Sequence, residues 1–389
     1  MATSRNRVLI GKILTLAVIL LVVLTGLTVL GCTGARSIPR GWSGTAVADG
    51  ALVLGSMEGK LVALDKSSGA KLWEVPFEAS SSAGGFGFGC APASTAVAIY
   101  GTPAVSDELV YVSGYNGKVY AINSDSGALR WVYPREGNME PIVGGQVVAH
   151  GKVYFGCSDG KVYALDAVTG DKQWEFETGD KIWSTPATDG DSVFIGSFDN
   201  KLYALAAVDG SQEWEFPTEG AIASTPLVYN NTVYIGSFDR HLYAIDATDG
   251  KQIWQLPVED EADNKPENWF WTKPVLYNNT IYAGNLDGKV YILNADTGDE
   301  IADAIDLGSP VASWPVLVDN SVIVASEEGI IFALDTADNQ IKPLTDLEEK
   351  IYAPLSASEG TVYIHTSEGE LHALNAQSGT KLWSLSLKS

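Results

Sequence analysis

Short segments in which apolar and polar residues alternate fill the chain from residue 42 onward, separated by turn-forming pairs. Between residues 184 and 216 this alternation predicts four strands, at 185–188, 192–196, 201–205 and 212–216. Asp-Gly and Asn-Asn pairs between such segments suit tight hairpins, because both central residues of a type I′ turn need a positive φ. The pattern therefore predicts consecutive antiparallel strands joined by short turns, in an all-β chain.

One phrase of the form Gly-Lys-Val-Tyr-Ala-Leu-Asp recurs through the chain. Its eight copies begin at Gly59, Gly117, Gly160, Asn200, Arg240, Gly288, Gly329 and Gly369. They follow one another at 40 to 43 residues, except for spacings of 58 and 48 residues that mark two insertions. A period near 40 residues with four strands per period is typical of propeller blades. The sequence therefore predicts one eight-bladed β-propeller of four-stranded antiparallel blades over residues 42–389.

A glycine and a tryptophan recur at fixed distances after the start of each phrase. The turn glycines are Gly69, Gly127, Gly170, Gly210, Gly250, Gly298 and Gly379, with Asn339 in the seventh unit. Four residues later stand Trp73, Trp131, Trp174, Trp214, Trp254 and Trp383, whereas the sixth and seventh units have Ala302 and Pro343. This Ala-x-Asp-x-x-Thr-Gly-x-x-x-Trp pattern resembles the repeat of the pyrroloquinoline-quinone-like (PQQ-like) propeller family. The resemblance implies that each tryptophan docks between blades on a glycine, where a Cβ would block the ring.

The N-terminal 31 residues have the features of a signal peptide or membrane anchor. Arg5, Arg7 and Lys12 precede a run without charge at 13–30, and Gly31-Cys32 ends it in the manner of a bacterial lipobox. This pattern predicts a lipoprotein acylated at Cys32. The apolar run is longer than most signal peptides require, so a single transmembrane helix stays open. Either anchor places residues 32–41 as a tether and the propeller outside the cytoplasm.

The charge balance bears on the choice of partner. The chain carries a formal net charge of −23, and removing the three basic residues of the first 31 leaves −26 for the remainder. Such a surface repels phosphate backbones, so nucleic acid is not expected as a partner. The lipid bilayer is an expected partner only through the N-terminal anchor.

Enzyme chemistry finds little support in the sequence. The four histidines, His150, His241, His365 and His372, occupy unrelated positions of the repeat, so no metal or catalytic cluster is expected. Quinoprotein dehydrogenases carry an adjacent cysteine pair, and the three cysteines here are far apart. We therefore expect no catalytic residue, no metal and no PQQ cofactor.

The two insertions and the turns between second and third strands share one end of the propeller. Cys90 lies in the first insertion and Cys157 borders such a turn, so a Cys90–Cys157 disulfide is one prediction. The alternative is that Cys157 replaces the serine of a Gly-Ser pair. The same turns carry an acid in seven units, which favours either hairpin formation or a ring of carboxylates.

Aromatic residues gather at this same end, where the chain enters the inner strands. They are Trp42, Tyr100, Trp183, Trp271, Trp314 and Tyr352, with Phe86, Phe88, Trp269 and Phe270 on the insertions. One interpretation is that these rings plug the funnel of the propeller. The other is an exposed aromatic rim, which is typical of surfaces that bind proteins.

An anchor followed by eight such blades is similar to the layout of the lipoproteins that assemble bacterial outer-membrane proteins. The resemblance implies a non-catalytic scaffold that binds another envelope or membrane protein through one face. A propeller that binds or senses a small ligand stays open as the alternative, and a PQQ-dependent dehydrogenase is the least favoured function.

Overall fold

The structure, a computed structural model, describes residues 41–77, 97–258 and 266–388. These residues form eight four-stranded antiparallel sheets in which strands follow one another in chain order. The first four blades comprise β1 Ala46–Ala48, β2 Ala51–Gly55, β3 Lys60–Asp65, β4 Lys71–Pro76, β5 Ala104–Ser106, β6 Leu109–Gly114, β7 Lys118–Asn123, β8 Leu129–Tyr133, β9 Gln146–Ala149, β10 Lys152–Gly156, β11 Lys161–Asp166, β12 Lys172–Glu177, β13 Ala187–Thr188, β14 Ser192–Gly196, β15 Lys201–Ala206 and β16 Gln212–Pro217. The last four comprise β17 Leu227–Tyr229, β18 Thr232–Gly236, β19 Leu242–Asp246, β20 Gln252–Leu256, β21 Val275–Tyr277, β22 Thr280–Gly284, β23 Lys289–Asn294, β24 Glu300–Asp306, β25 Val316–Val318, β26 Ser321–Ala325, β27 Ile330–Asp335, β28 Ile341–Asp346, β29 Ser356–Ser358, β30 Thr361–His365, β31 Glu370–Asn375 and β32 Lys381–Ser386.

The first strand of each blade is innermost and contacts the first strand of a neighbouring blade. Such contacts join β1 to β5, β5 to β9 and β9 to β13, and the last blade meets the first through β29 and β1. Each blade is built from one continuous segment, so the ring closes without exchange of a strand. The eight-bladed all-β propeller expected from the sequence is confirmed, whereas the predicted anchor and Cys32 lie outside the described residues.

Each blade is rich in apolar residues because its middle strands are buried between the neighbouring blades. The second and third strands are covered on both faces by adjacent blades, as in β14, where all five residues are buried. The outer strand alternates instead, as in β16, where Trp214 is buried between exposed glutamates. The inner strand β13 begins at Ala187, two residues later than predicted. We attribute this to Pro186, which has no N–H to donate to a ladder.

The repeated tryptophans dock as the resemblance implied. The Trp174 ring lies so close to Gly210 that a Cβ there would stand 2.6 Å from Cδ2. Its indole nitrogen donates a hydrogen bond to the Ala207 carbonyl at 3.2 Å, so the ring is fixed at both ends. Trp383 packs in the same way on Gly69, which joins the last blade to the first.

The two units without a tryptophan fill the seam differently. In the regular blades an alanine of the third strand faces the tryptophan, as Ala204 faces Trp214. In the sixth blade the large and small residues are exchanged, because Ile292 faces Ala302. In the seventh blade Leu344 packs on Gly379.

Candidate functional site at the channel mouth

One end of the central channel is built from two kinds of segment, and we call this end the mouth. One kind is the turn between the second and third strands, and the other is the connection that enters the same blade. In seven blades a turn N–H donates to a carbonyl of that connection: Tyr115 to Ala98, Ser158 to Pro141, Phe198 to Lys181, Phe238 to Ala221, Leu286 to Trp269, Glu327 to Pro310, and Ser367 to Lys350. These bonds hold residues of the two segments against each other, so aromatic rings on both can meet.

Five rings form a continuous arc over the fourth, fifth and sixth blades, which we call the first arc. Phe238 stacks on Trp269, with centroids 4.3 Å apart and planes 13° apart, and it also stacks on Trp271 at 5.6 Å. Phe198 meets Phe238 edge-on at 5.9 Å and Trp183 edge-on at 4.7 Å. Contacts between aromatic rings add stability beyond that gained from burying apolar surface, so the arc is an ordered surface.

A lysine covers one end of the first arc. The Lys181 ammonium lies 4.8 Å from the Trp183 ring centroid and 4.6 Å from that of Phe198. Both distances are within the range of cation–π attraction. The Lys181 ammonium therefore places a positive charge over the rings at this end of the first arc.

Four rings form a second arc over the eighth, first and second blades. Trp42 lies 5.7 Å from Tyr352 and 4.9 Å from Tyr100, and Tyr100 lies 5.6 Å from Tyr115. The Tyr352 hydroxyl donates to Glu327 Oε1 at 3.1 Å. Burial, followed by the Glu327 charge, raises the pKa of Tyr352 to about 12. Its hydroxyl therefore stays neutral at physiological pH.

The two arcs stand on opposite sides of the mouth. The first arc spans blades four to six, and the second spans blade eight to blade two. Between them, the corresponding positions hold Val143 and Ser158 on one side, and Ala312 and Glu327 on the other. The mouth therefore has two aromatic walls separated by small or polar side chains.

The structure brings most of the predicted aromatic residues together at the mouth. Trp42, Tyr100, Trp183, Trp269, Trp271 and Tyr352 are half-buried members of the two arcs. Trp314 is also half-buried but stands one register step deeper, directly before Pro315. Phe86 and Phe88 lie outside the described residues. The rings of the two arcs are neither fully buried nor fully exposed at the channel entrance.

Phe270 is a correction to the predicted face. It is only 1% exposed and belongs to the core between the fifth and sixth blades. Its ring meets Tyr291 edge-on at 5.4 Å, and its backbone and Cβ cover Gly236. Alternation along the connection turns Phe270 inward while both neighbouring tryptophans face the mouth, and Ile222 fills the same place one blade earlier.

Three members of the arcs were not expected from the sequence, namely Tyr115, Phe198 and Phe238. Tyr115 is 47% exposed. Phe198 and Phe238 occupy the same place in two consecutive Gly-Ser-Phe-Asp turns. Comparing the most variable turn position across all eight units would have revealed them.

Four of the seven acids of these turns, all aspartates, bind other groups of the fold. Asp199 Oδ2 accepts hydrogen bonds from the Tyr203 hydroxyl at 2.7 Å and from the Gly179 N–H at 2.6 Å. Its Oδ1 accepts from the Lys201 N–H at 3.1 Å. Asp159, Asp239 and Asp287 bind their own tyrosines in the same way. This geometry favours the hairpin interpretation over a ring of free carboxylates.

Cys157 is buried and takes the place of the serine in other Gly-Ser turns. Its thiol donates to the Glu140 carbonyl at 3.3 Å, as Ser237 Oγ does to Gly220. Burial raises the pKa of Cys157 to about 12, which keeps the thiol protonated. Cys90 lies outside the described residues, so the Cys90–Cys157 disulfide stays a prediction.

Two of the histidines, His365 and His241, contact other groups of the propeller. His365 is fully buried, and its Nδ1 donates to the Ser43 carbonyl at 2.9 Å across the closing seam. His241 contacts Asp239 in a turn of the mouth. Within residues 41–77, 97–258 and 266–388, no group of three or more His, Cys, Asp or Glu is placed to hold a metal. In the same described part of the chain, no helix has the length and hydrophobicity to cross a membrane.

Comparison with known proteins places the chain in a family. A stretch of 66 residues, 17% of this chain and 17% of the relative, is 38% identical to the outer membrane protein assembly factor BamB of Yersinia pestis. Among solved structures, BamB from Moraxella catarrhalis superposes with a TM-score of 0.68 at 18% identity, covering 85% of this chain and 92% of that one.

Two further solved structures share the fold. The computationally designed Ika8 protein gives a TM-score of 0.70 at 16% identity, over 86% of this chain and 96% of its own. The quinohemoprotein alcohol dehydrogenase ADHIIG of Pseudomonas putida gives 0.57 at 17% identity, over 74% and 66%. The family described as outer membrane protein assembly factor BamB matches residues 33–181 and 162–383, and the chain belongs to that family.

Proposed function

We propose that this protein is a non-catalytic scaffold of the cell envelope that binds another envelope or membrane protein at the mouth. The observation that carries the proposal is the pair of aromatic arcs. Three blades have Val143, Ala223 or Ala312 at the repeat position where other blades carry an aromatic residue. The propeller closes with these smaller residues in place. The aromatic residues are therefore not required for closure, and half-exposed aromatic clusters beside charges are typical of protein-binding surfaces.

The family supports this role and its location. The relative from Yersinia is named an outer membrane protein assembly factor, BamB, and the solved structure from Moraxella carries the same name, BamB. We propose the same broad setting here, with the propeller outside the cytoplasm. The anchor would be a lipid on Cys32 or a single transmembrane helix near 13–30, and it would hold the propeller beside the membrane where its partner resides.

The absence of a catalytic role and of a PQQ cofactor forms part of the proposal. It is supported by the structural use of His365, Cys157 and the turn aspartates, whose polar atoms bind other parts of the propeller. The likeness to the quinohemoprotein concerns the fold alone, because only 17% of residues are identical.

A crosslinking pull-down from native membranes in mild detergent tests the proposal. The wild-type chain is compared with Trp269→Ser/Trp271→Ser, which removes two rings of the first arc. Leu72→Ser/Leu382→Ser is the matched control, because these leucines are 54% and 53% exposed on outer strands far from the mouth.

We expect one specific membrane protein to be lost from the mouth variant and retained by the control. Equal retention by both variants would remove the mouth as the binding surface. If the wild-type chain captures no protein, the scaffold function fails and a small ligand of the funnel becomes the better hypothesis.

A further inference from the structure

A second layer of side chains lines the channel directly beneath the two arcs. It consists of one residue from each blade: Gly44, Thr102, Gly145, Thr185, Thr225, Lys273, Trp314 and Pro354. These positions converge, because a Cβ on Gly44 would lie 2.3 Å from Thr102 Oγ1 and 3.0 Å from Pro354 Cβ. The Gly145 N–H also donates to Thr185 Oγ1 at 2.7 Å. Of these eight described residues, Lys273 alone is charged.

Lys273 stands between two buried neighbours on the connection that leads into β21. Thr272 and Pro274 turn into the blade, so alternation places Lys273 on the channel side. Trp271 lies one layer above it, and Thr225 and Trp314 hold the same layer in the adjacent blades. Lys273 therefore lies one layer below the first arc, on the channel side of the connection.

This lysine has no counter-charge within residues 41–77, 97–258 and 266–388. Burial lowers the pKa of Lys273, and no nearby carboxylate opposes that effect. Lysines that pair with a glutamate show the opposite shift, since Glu215 raises the pKa of Lys201 and Glu327 raises that of Lys350.

A second polar group in the same layer is also without a partner. Thr102 Oγ1 is buried and makes no hydrogen bond to the described residues. Buried polar groups are normally satisfied, and the half-buried Lys273 carries an ammonium that is partly desolvated. A negatively charged group entering the mouth would offset that desolvation.

We propose that Lys273 receives a carboxylate of the bound protein partner, held between the aromatic arcs. The inference rests on the proposed function, and it adds the chemistry of the contact. A carboxylate fits because a lysine is a compact point charge that pairs with one oxygen, while the surrounding rings suit apolar residues on either side of the acid. The protein's acidic surface repels acids elsewhere, so one recessed ammonium would also select how the partner docks.

Zero-length carbodiimide coupling in native membranes tests this contact directly, because it joins an amine to a carboxylate only when the two touch. The full-length anchored protein is used as wild type, Lys273→Met, Lys273→Arg and the control Lys381→Met on the exposed outer strand β32. Peptide mapping by mass spectrometry locates each isopeptide bond, and circular dichroism confirms that every variant is folded.

We expect an isopeptide bond from Lys273 to an aspartate, a glutamate or the C-terminus of the partner. Lys273→Met should lower retention of that partner about tenfold or more, since a buried charge-assisted hydrogen bond is lost. Lys273→Arg should retain the partner without the coupled product, and Lys381→Met should match the wild type.

Two outcomes overturn the proposal and are distinct from each other. If Lys273→Met retains the partner as well as the wild type does, the scaffold stands but the carboxylate contact is wrong. If the wild type retains no membrane protein, the scaffold function fails together with this contact.

Discussion

Two sets of aromatic residues have different roles in this propeller. The docking tryptophans, such as Trp174 and Trp214, are 7% and 8% exposed and donate their indole N–H to a neighbouring blade. The rings of the arcs, such as Trp183 and Trp271, are half-buried and mostly contact one another. The docking set recurs at one repeat position in six of the eight blades, whereas the arcs draw on three repeat positions that carry a ring in some blades and not in others. The docking contacts build the ring of blades, and the rings that only some blades carry are available for binding.

Removing one ring from each set should separate stability from binding, and it carries the largest expected effect. Trp174→Ala should lower the free energy of unfolding by about 3–5 kcal/mol, because it leaves a cavity between blades. Trp271→Ala should cost about 1–2 kcal/mol, since a half-buried ring loses less apolar area. Urea denaturation followed by circular dichroism measures both, and equal losses would contradict the distinction.

The glycine beneath a docking ring offers a sharper and smaller test. Gly210→Ala places a Cβ 2.6 Å from the Trp174 ring at a φ of +75°. Gly360→Ala is the matched control, with a φ of +74° and no atom within 4 Å. Both variants lose stability because alanine disfavours the left-handed backbone. The difference between their free energies of unfolding therefore measures the clash with the ring, which should cost about 1–3 kcal/mol. Urea denaturation measures this difference. Equal free energies of unfolding for the two variants would mean that the Trp174 ring can move away from the added Cβ.

A still smaller effect concerns the blade that closes the ring. Burial lowers the pKa of His365 and, together with Lys381, that of His372 from the ordinary value of 6.5. Below that value the unfolded chain binds more protons than the folded one, so the free energy of unfolding should fall as the pH falls.

We expect a variant carrying His365→Asn and His372→Tyr to lose less stability than the wild type on acidification. Melting temperatures between about pH 7 and pH 5, above the range where most carboxylates titrate, measure the slope. Tyrosine is chosen because it fills the corresponding place in most other blades, including Tyr163 and Tyr203. Parallel slopes in both proteins would show that neither histidine is protonated on unfolding.

The repeat made most of the fold predictable. The Gly-Lys-Val-Tyr phrase placed the strands, because each strand depends on residues close together in sequence. The docking of each tryptophan on a glycine of another blade came from the resemblance to the PQQ-like repeat, since residues such as Trp174 and Gly210 are far apart in the chain. The start of β13 was misplaced only by the local effect of Pro186. The exchange of Ile292 and Ala302 in the sixth blade lay beyond prediction, since it compensates across two strands.

The mouth was only partly predictable. Aromatic residues before the inner strands were visible in the sequence, but Phe198 and Phe238 joined them through a turn that comes later in each blade. Phe270 was misplaced because a three-residue aromatic run does not reveal which ring turns inward. Lys273 is not distinctive in the sequence, since its significance depends on its place below the first arc and on partial burial without a nearby carboxylate among the described residues.

Hydrogen–deuterium exchange of the propeller, free and bound to the captured membrane protein, tests the central claim most directly. We expect added protection at the turns that hold Phe198 and Phe238 and at the connections that hold Lys181 and Trp269. The hairpins at the opposite end, such as Asn230-Asn231, should exchange at the same rate in both samples. Protection confined to those hairpins or to the outer strands would contradict the assignment of the mouth as the binding surface.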